Sequence, residues 1–322
     1  MRTFTRVITP AALAMTLAAG AMVLPTAAGA KVIGIIYPDC CIAYVNAAKT
    51  LRAEIAKGGY GPGQAEIHEQ KPSADMMSWA NSFRKFVGVD ADLIVIFGEE
   101  LLETACREKT KIPVLFGFAR NPESVKCVKS MEKPGGNTTG VSDQTPIFTL
   151  LDKAKAVTNF QTVAVFTLNG DSHSNHTVKE VIGHEGKLGF KTVVLTAKKR
   201  KDLPRIFREA PTVDLLLFPD FAADKAALAE LQQIAGQRRI PIISLKPPDE
   251  TDSFVLSLYP NLEEHGVLMG KMALDLLQGV SPGDTPVVTP KKIDLEVNVG
   301  LAMKLGLKMP MSVLNSATKV TK

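Results

Sequence analysis

The sequence predicts an α/β protein made of two doubly wound, parallel-sheet lobes. Three observations carry this. Short β-rich runs alternate with amphipathic stretches of helical length, the mark of βαβ units on a parallel sheet. Runs such as Leu93–Phe97 are apolar throughout, as strands buried on both faces are. The alternation occurs twice, over roughly 115 residues each time, which suits two domains in a chain of this length.

In chain order, Val32–Tyr37 reads as an apolar strand and Ile42–Lys57 as the helix behind it, ended by the Gly58–Gly63 run. Ala65–Glu69 is a second strand. Pro72-Ser73 opens a helix that continues to Phe86. Leu93–Phe97, bounded by Asp92 and Gly98, leads into a helix over Glu99–Glu108, and Ile112–Phe118 is the next strand. In the second half, strands are expected at Thr162–Leu168, Lys191–Thr196, Asp214–Phe218 and Ile240–Leu245. Helices are expected between them at Ser174–Leu188, Asp202–Ala210 and Ala222–Gly236. Phe254–Tyr259, a helix over Leu262–Leu277 and Asp294–Val299 then stitch the lobes together. Right-handed crossovers wind both sheets. The expected division is 31–143 with about 259–284 for the first lobe, and 144–258 with about 285–322 for the second.

Composition is that of a globular protein: 322 residues, 45% hydrophobic and 22% charged. These values exclude disorder and small disulfide scaffolds. Residues 1–30 read as a secretory signal peptide. Arg2 and Arg6 precede an uncharged, mostly apolar stretch from Val7 to Leu24, and Ala28-Gly29-Ala30 is a cleavage site. No cysteine follows that would carry a lipid. Removing two arginines takes the formal charge from +5 to +3, too mild to imply nucleic acid. An exported chain permits disulfides. The four cysteines, 40, 41, 106 and 127, allow three pairings. Cys106 with Cys127 is expected, since both lie on neighbouring segments of one lobe. Cys40 and Cys41 are then free thiols or a vicinal bridge. His173 and His176 read as surface residues rather than metal ligands.

Ligands of open α/β sheets sit beyond the carboxyl ends of the strands. There the sequence places Tyr37 and Asp39, then Gly98, Glu99 and Glu100, then Arg120 and Asn121, and further on Ser142 and Asp143. The second lobe supplies Asn169 and Asp171, Asp220 and Lys246, and Tyr259 follows where the chain returns. Helix N-termini at these points offer free N–H groups to a carboxylate, and Arg120 adds a bidentate clamp. The acids favour an amine, although Asp39 and Asp171 also suit helix caps. Lys198-Lys199-Arg200-Lys201 reads as a solvated loop before a helix, and Trp79 as a packing residue. Nucleophile elbow, phosphate loop and dinucleotide fingerprint are all absent, so neither a cofactor nor an enzyme is expected.

The run Ile112-Pro113-Val114, Asn121-Pro122 and Lys133-Pro134-Gly135-Gly136-Asn137-Thr138-Thr139-Gly140-Val141-Ser142 resembles the signature of an ABC-transporter substrate-binding protein family that includes tryptophan and aromatic amino-acid binders. Tyr259-Pro260-x-Leu262 with Gly266 and Gly270, and the closing Asn298, Ala302, Leu305-Gly306-Leu307 and Pro310, resemble it too. The resemblance implies a type I periplasmic-binding fold, two Rossmann-like lobes on a multi-crossover hinge. It implies a periplasmic monomer that closes on a small amino-acid-like or other polar organic ligand and hands it to a membrane permease. A sensor module without a permease is the alternative. Where the family has small polar groups at strand ends, this chain has Glu99-Glu100, Arg120-Asn121-Pro122 and Asp220-Phe221-Ala222.

Overall fold

A computed structural model describes residues 29–38, 41–73, 75–169, 171–219, 224–249 and 253–322, with the side chains of Ser172 and His173 left out. The leader, Asp39, Cys40 and Asp220 therefore lie outside the described residues. The first half runs β1 (Lys31–Ile36), α1 (Ile42–Lys57), β2 (Ala65–Gln70), α2 (Met76–Gly88), β3 (Leu93–Phe97), α3 (Glu99–Glu108), β4 (Val114–Ala119) and β5 (Thr138–Ser142). The second runs α4 (Ile147–Val157), β6 (Thr162–Leu168), α5 (Ser172–Gly183), α6 (Glu185–Leu188), β7 (Lys191–Ala197), α7 (Leu203–Glu209), β8 (Leu215–Phe218), α8 (Lys225–Gln237), β9 (Ile242–Ser244) and β10 (Leu256–Pro260). The chain closes with α9 (Leu262–Leu277), β11 (Ile293–Asn298), α10 (Val299–Lys304), α11 (Met311–Leu314) and β12 (Lys319–Thr321).

The strands form two sheets, ordered β2-β1-β3-β4-β5 and β12-β11-β10-β9-β8-β6-β7. Five strands of the second, β7-β6-β8-β9-β10, repeat the order of the first, so the two α/β lobes share one topology. All pairs are parallel except β10 with β11. Each sheet is covered on both faces. In the first lobe α1 and α9 cover one face around Ile33, Val95 and Leu115, and α2 and α3 the other around Ile36, Ile94 and Phe116. In the second, α4, α10 and α11 pack on one face and α7 and α8 on the other. The chain passes between the lobes after β5, after β10 and between α9 and β11. These are the crossovers of the hinge.

The helix α9 follows a strand of the second sheet yet packs on α1 of the first. Gly266 and Gly270 make that close approach possible. A Cβ at Gly266 would stand 2.6 Å from the Thr50 Cβ and 2.8 Å from the Ala47 carbonyl oxygen.

Several boundaries differ from the sequence reading for physical reasons. The second helix starts at Met76 because the Asp75 carboxylate accepts the Ser78 N–H. The expected helix over Ser174–Leu188 begins at Ser172, capped by Asp171, and breaks at His184. The closing α10, α11 and β12 were missed, and so were two elements between the lobes. The strand β5 reads Thr-Thr-Gly-Val-Ser, with too few apolar residues to signal a strand, although all five are buried. The helix α4, capped by no side chain, lies directly behind it. No described helix is long and apolar enough to cross a membrane.

Candidate functional site

The carboxyl ends of the two sheets face each other, and the residues there bond across the gap. Glu100, in the first turn of α3, is ion-paired with Arg200, which precedes α7. Arg120, just past β4, donates from Nη2 to the Glu180 carboxylate of α5 at 3.0 Å and to the Thr145 carbonyl at 2.5 Å. The Asn121 side-chain nitrogen meets His176 Nδ1 at 3.2 Å. Ile42, the first residue of α1, donates its N–H to Asp249 of the second lobe at 3.2 Å. These polar ties hold the lobes together, and Arg120 is only 4% exposed.

Two cavities flank this strip. The outer one, about 220 Å³, lies between the starts of α2 and α3 and the loops after β6 and β7. Trp79 forms a wall, with the Arg200 guanidinium 5.9 Å from its ring centre. The acids on its rim have partners: Glu100 has Arg200, Glu103 has Arg107, Asp75 caps α2 and Asp171 caps α5. Lys198 and Lys199 line it and are exposed. The inner cavity is small and lies at the hinge, lined by Tyr44, Phe118, Asp143, Lys246 and Tyr259 among others.

The strand-end residues singled out in the sequence therefore divide. Glu100, Asn169 and Asp171 reach the outer cavity, while Asp143, Lys246 and Tyr259 reach the inner one. Arg120 and Asn121 make the strip between them. Glu99 is buried and braces that strip, its carboxylate accepting the Asn121 N–H at 2.9 Å. Three residues are built into the frame. Tyr37 is buried, donates its hydroxyl to Glu69 at 2.8 Å and packs edge-on to Phe97. Gly98 adopts φ +99° at the start of α3, a conformation for which glycine is suited. Ser142 is fully buried against Thr289, 2.6 Å between hydroxyl oxygens. Burial, with the nearby Glu296 carboxylate, holds the Tyr259 phenol well above its ordinary pKa.

Sequence reasoning missed Arg200, Trp79, Glu180 and Thr145. Arg200 sat inside a basic run that reads as solvent-facing. Its neighbours Lys198, Lys199 and Lys201 are indeed exposed, but Arg200 turns inward. Trp79 both packs in the core and lines the outer cavity. Cys106 and Cys127 form a disulfide with Cα atoms 5.5 Å apart. Cys41 is also disulfide-bonded, so it is not the free thiol that one alternative allowed. No cluster of metal-ligating side chains occurs among the described residues.

Comparison with known proteins matches this architecture. The family model for ABC transporter substrate binding proteins matches residues 43–321. A tyrosine-binding protein of Clostridioides difficile (strain R20291) is 24% identical over 243 residues, 74% of this chain and 70% of the relative. The structure of an ABC domain in complex with L-Trp from Streptococcus pneumoniae superposes with a TM-score of 0.84 at 23% identity, covering 91% of this chain and all of the other. The ligand-free, open structure of a substrate-binding protein with adhesive properties from Clostridium difficile gives 0.68 at 24% identity, covering 91% and 99%. These likenesses establish the type I periplasmic-binding fold, with two α/β lobes as the sequence predicts. The matched model spans most of the chain, and the chain belongs to the ABC transporter substrate-binding proteins, which capture small molecules for import.

Proposed function

We propose that this protein binds a small zwitterionic ligand of amino-acid type between its lobes and presents it, as a periplasmic monomer, to an inner-membrane permease. The observation that carries the ligand class is the mixture of signs at the cleft. Glu99 and Glu100 stand with Arg120 and Arg200 along the interlobe strip and its outer cavity, and Asp143 and Lys246 line the inner cavity beside it. Such a strip can satisfy an ammonium and a carboxylate together. The bound amino acids named for the relatives are zwitterions of this kind. The outer cavity has room for a compact side chain, with Trp79 as an apolar wall. The chain is not an enzyme in this reading: the strip pairs acids with bases across two lobes.

The energetics require that the ligand favour the closed arrangement over the open one. Polar ties such as Arg120 to Glu180 form only when the lobes meet, so they add to closure without touching the ligand. Export by the leader and removal at Ala30 put the protein outside the inner membrane.

The test is calorimetric titration of the purified protein with the common amino acids. One equivalent of at least one amino acid is expected to bind. Arg120→Ala should weaken it by roughly tenfold or more, about 1.4 kcal/mol. No binding by any amino acid would refute the ligand class, and unchanged affinity in Arg120→Ala would refute the role of the strip.

A further inference from the structure

The backbone leaves β4 in an unusual way. Phe118 has φ +58°, a left-handed conformation that a bulky residue rarely adopts. The register between β4 and β5 shifts at this point, between Gly117 and Ala119. Strain of this kind persists only where the surroundings over-determine it. Here one side chain holds both the Phe118 N–H and its ring. The Phe118 N–H donates to His265 Nε2 at 3.1 Å, and the two rings stack with centroids 3.8 Å apart and planes 9° apart. His265 comes from α9 and is fully buried. Its partner strand and its helix belong to segments far apart in the chain, joined by the hinge. On the other side Phe118 is held by Tyr44 and Phe97, at 5.1 and 5.8 Å between ring centres.

The bulge sets the direction of the residues beyond it. Two positions on are Arg120 and then Asn121, which tie the lobes through Glu180 and His176. A regular strand would turn each successive side chain to the opposite face, since strand side chains alternate. We propose that His265 is a positioning residue: by accepting the Phe118 N–H and stacking on its ring, it holds the left-handed turn that aims Arg120 and Asn121 into the interlobe strip. This rests on the reading of that strip as part of the ligand site. The imidazole is suited to the task. Burial pushes its pKa down to about 3, so it stays neutral. An acceptor at Nε2 places the proton on Nδ1.

The experiment compares His265→Phe, which keeps a stacking ring but has no acceptor, with His265→Gln, whose amide can reach the Nε2 position. Amide hydrogen exchange gives a readout independent of any ligand. In His265→Phe the Phe118 amide should exchange at least roughly tenfold faster relative to Leu115 and Val95 of the same sheet, a local opening rather than a global one. His265→Gln should restore the protection. Equal acceleration of all three amides would show a merely structural role and overturn the proposal. Phe118→Gly in the His265→Phe background should recover the wild-type signals of Asn121, because glycine adopts the turn unaided. Failure to recover them also counts against it. Titration with L-tryptophan separates the two readings. If wild type binds it, His265→Phe should weaken binding by roughly tenfold and His265→Gln by less than about threefold. If wild type does not bind it, L-tryptophan as the ligand is what fails, and the exchange data still decide the role of His265.

Discussion

Replacing His265 should remove a slope from the pH dependence of stability. The imidazole is buried in the folded protein, and burial takes its pKa from 6.5 to about 3. In the unfolded chain it titrates near its ordinary value. Between those two values the unfolded state therefore binds the extra proton, so stability rises with pH across that window. The contribution is whole above about pH 6.5 and is lost as the pH falls toward 3. Each unit corresponds to about 1.4 kcal/mol, so lowering the pH from 6.5 to 5 should cost about 2 kcal/mol through this residue alone. The carboxylates Asp75, Asp92, Asp214 and Glu185 are likewise held below their ordinary values, but those values, 3.8 and 4.5, already lie below the window in which the free imidazole titrates. Their contributions fade at lower pH, as each is protonated, and leave the upper window to the histidine. Urea denaturation followed through Trp79, the sole tryptophan, reports on the lobe in which His265 packs. His265→Gln should flatten the curve between pH 6.5 and 5 by about 2 kcal/mol relative to wild type. An acid limb of the same slope in both proteins would refute the burial of a neutral imidazole at this position.

Three further substitutions probe the interlobe contacts, the sheet packing and the disulfide. Glu100→Gln removes one partner of a mostly buried ion pair between the lobes. It should favour the open arrangement by about 1.5–3 kcal/mol, seen as a larger radius of gyration in solution scattering and weaker ligand binding. Gly140→Ala drives a Cβ into the Phe116 carbonyl across β4 and β5. It should cost about 1–3 kcal/mol by overpacking, measured as a lower urea midpoint with unchanged slope. Cys106→Ser opens a bridge spanning 21 residues and should cost about 2–4 kcal/mol, measured as a lower urea midpoint.

Much of the fold was legible because apolar periodicity reports burial directly. Leu93–Phe97, Ile42–Lys57 and Leu262–Leu277 are each found where the pattern puts them. Elements held by polar burial were not. The Thr138–Ser142 strand owes its place to hydrogen bonds such as Thr139 to the Thr285 carbonyl, 2.7 Å, and Ser142 to Thr289. Those partners lie about 147 residues away in sequence, beyond any local signal. The site shows the same split. Topology alone points to the ends of the strands, and Glu99, Arg120, Asn121 and Asp143 are found together there. It does not say which charges meet across the gap. Arg200 is indistinguishable in sequence from the exposed lysines beside it, and only the facing of Glu100 gives it a role. His265 lies near the start of an amphipathic helix, and the role proposed for it depends on a bulge in a distant strand.

The most direct test of the central claim uses the position of Trp79 on the wall of the interlobe cavity. Its fluorescence, excited where tyrosine does not absorb, should change saturably when the protein is titrated with its amino-acid ligand, L-tyrosine being the first to try. The change should reach one equivalent and should weaken in Arg120→Ala. An amino acid that binds by calorimetry yet leaves Trp79 unmoved, with affinity untouched in Arg120→Ala, would place the ligand outside the cleft and contradict the account.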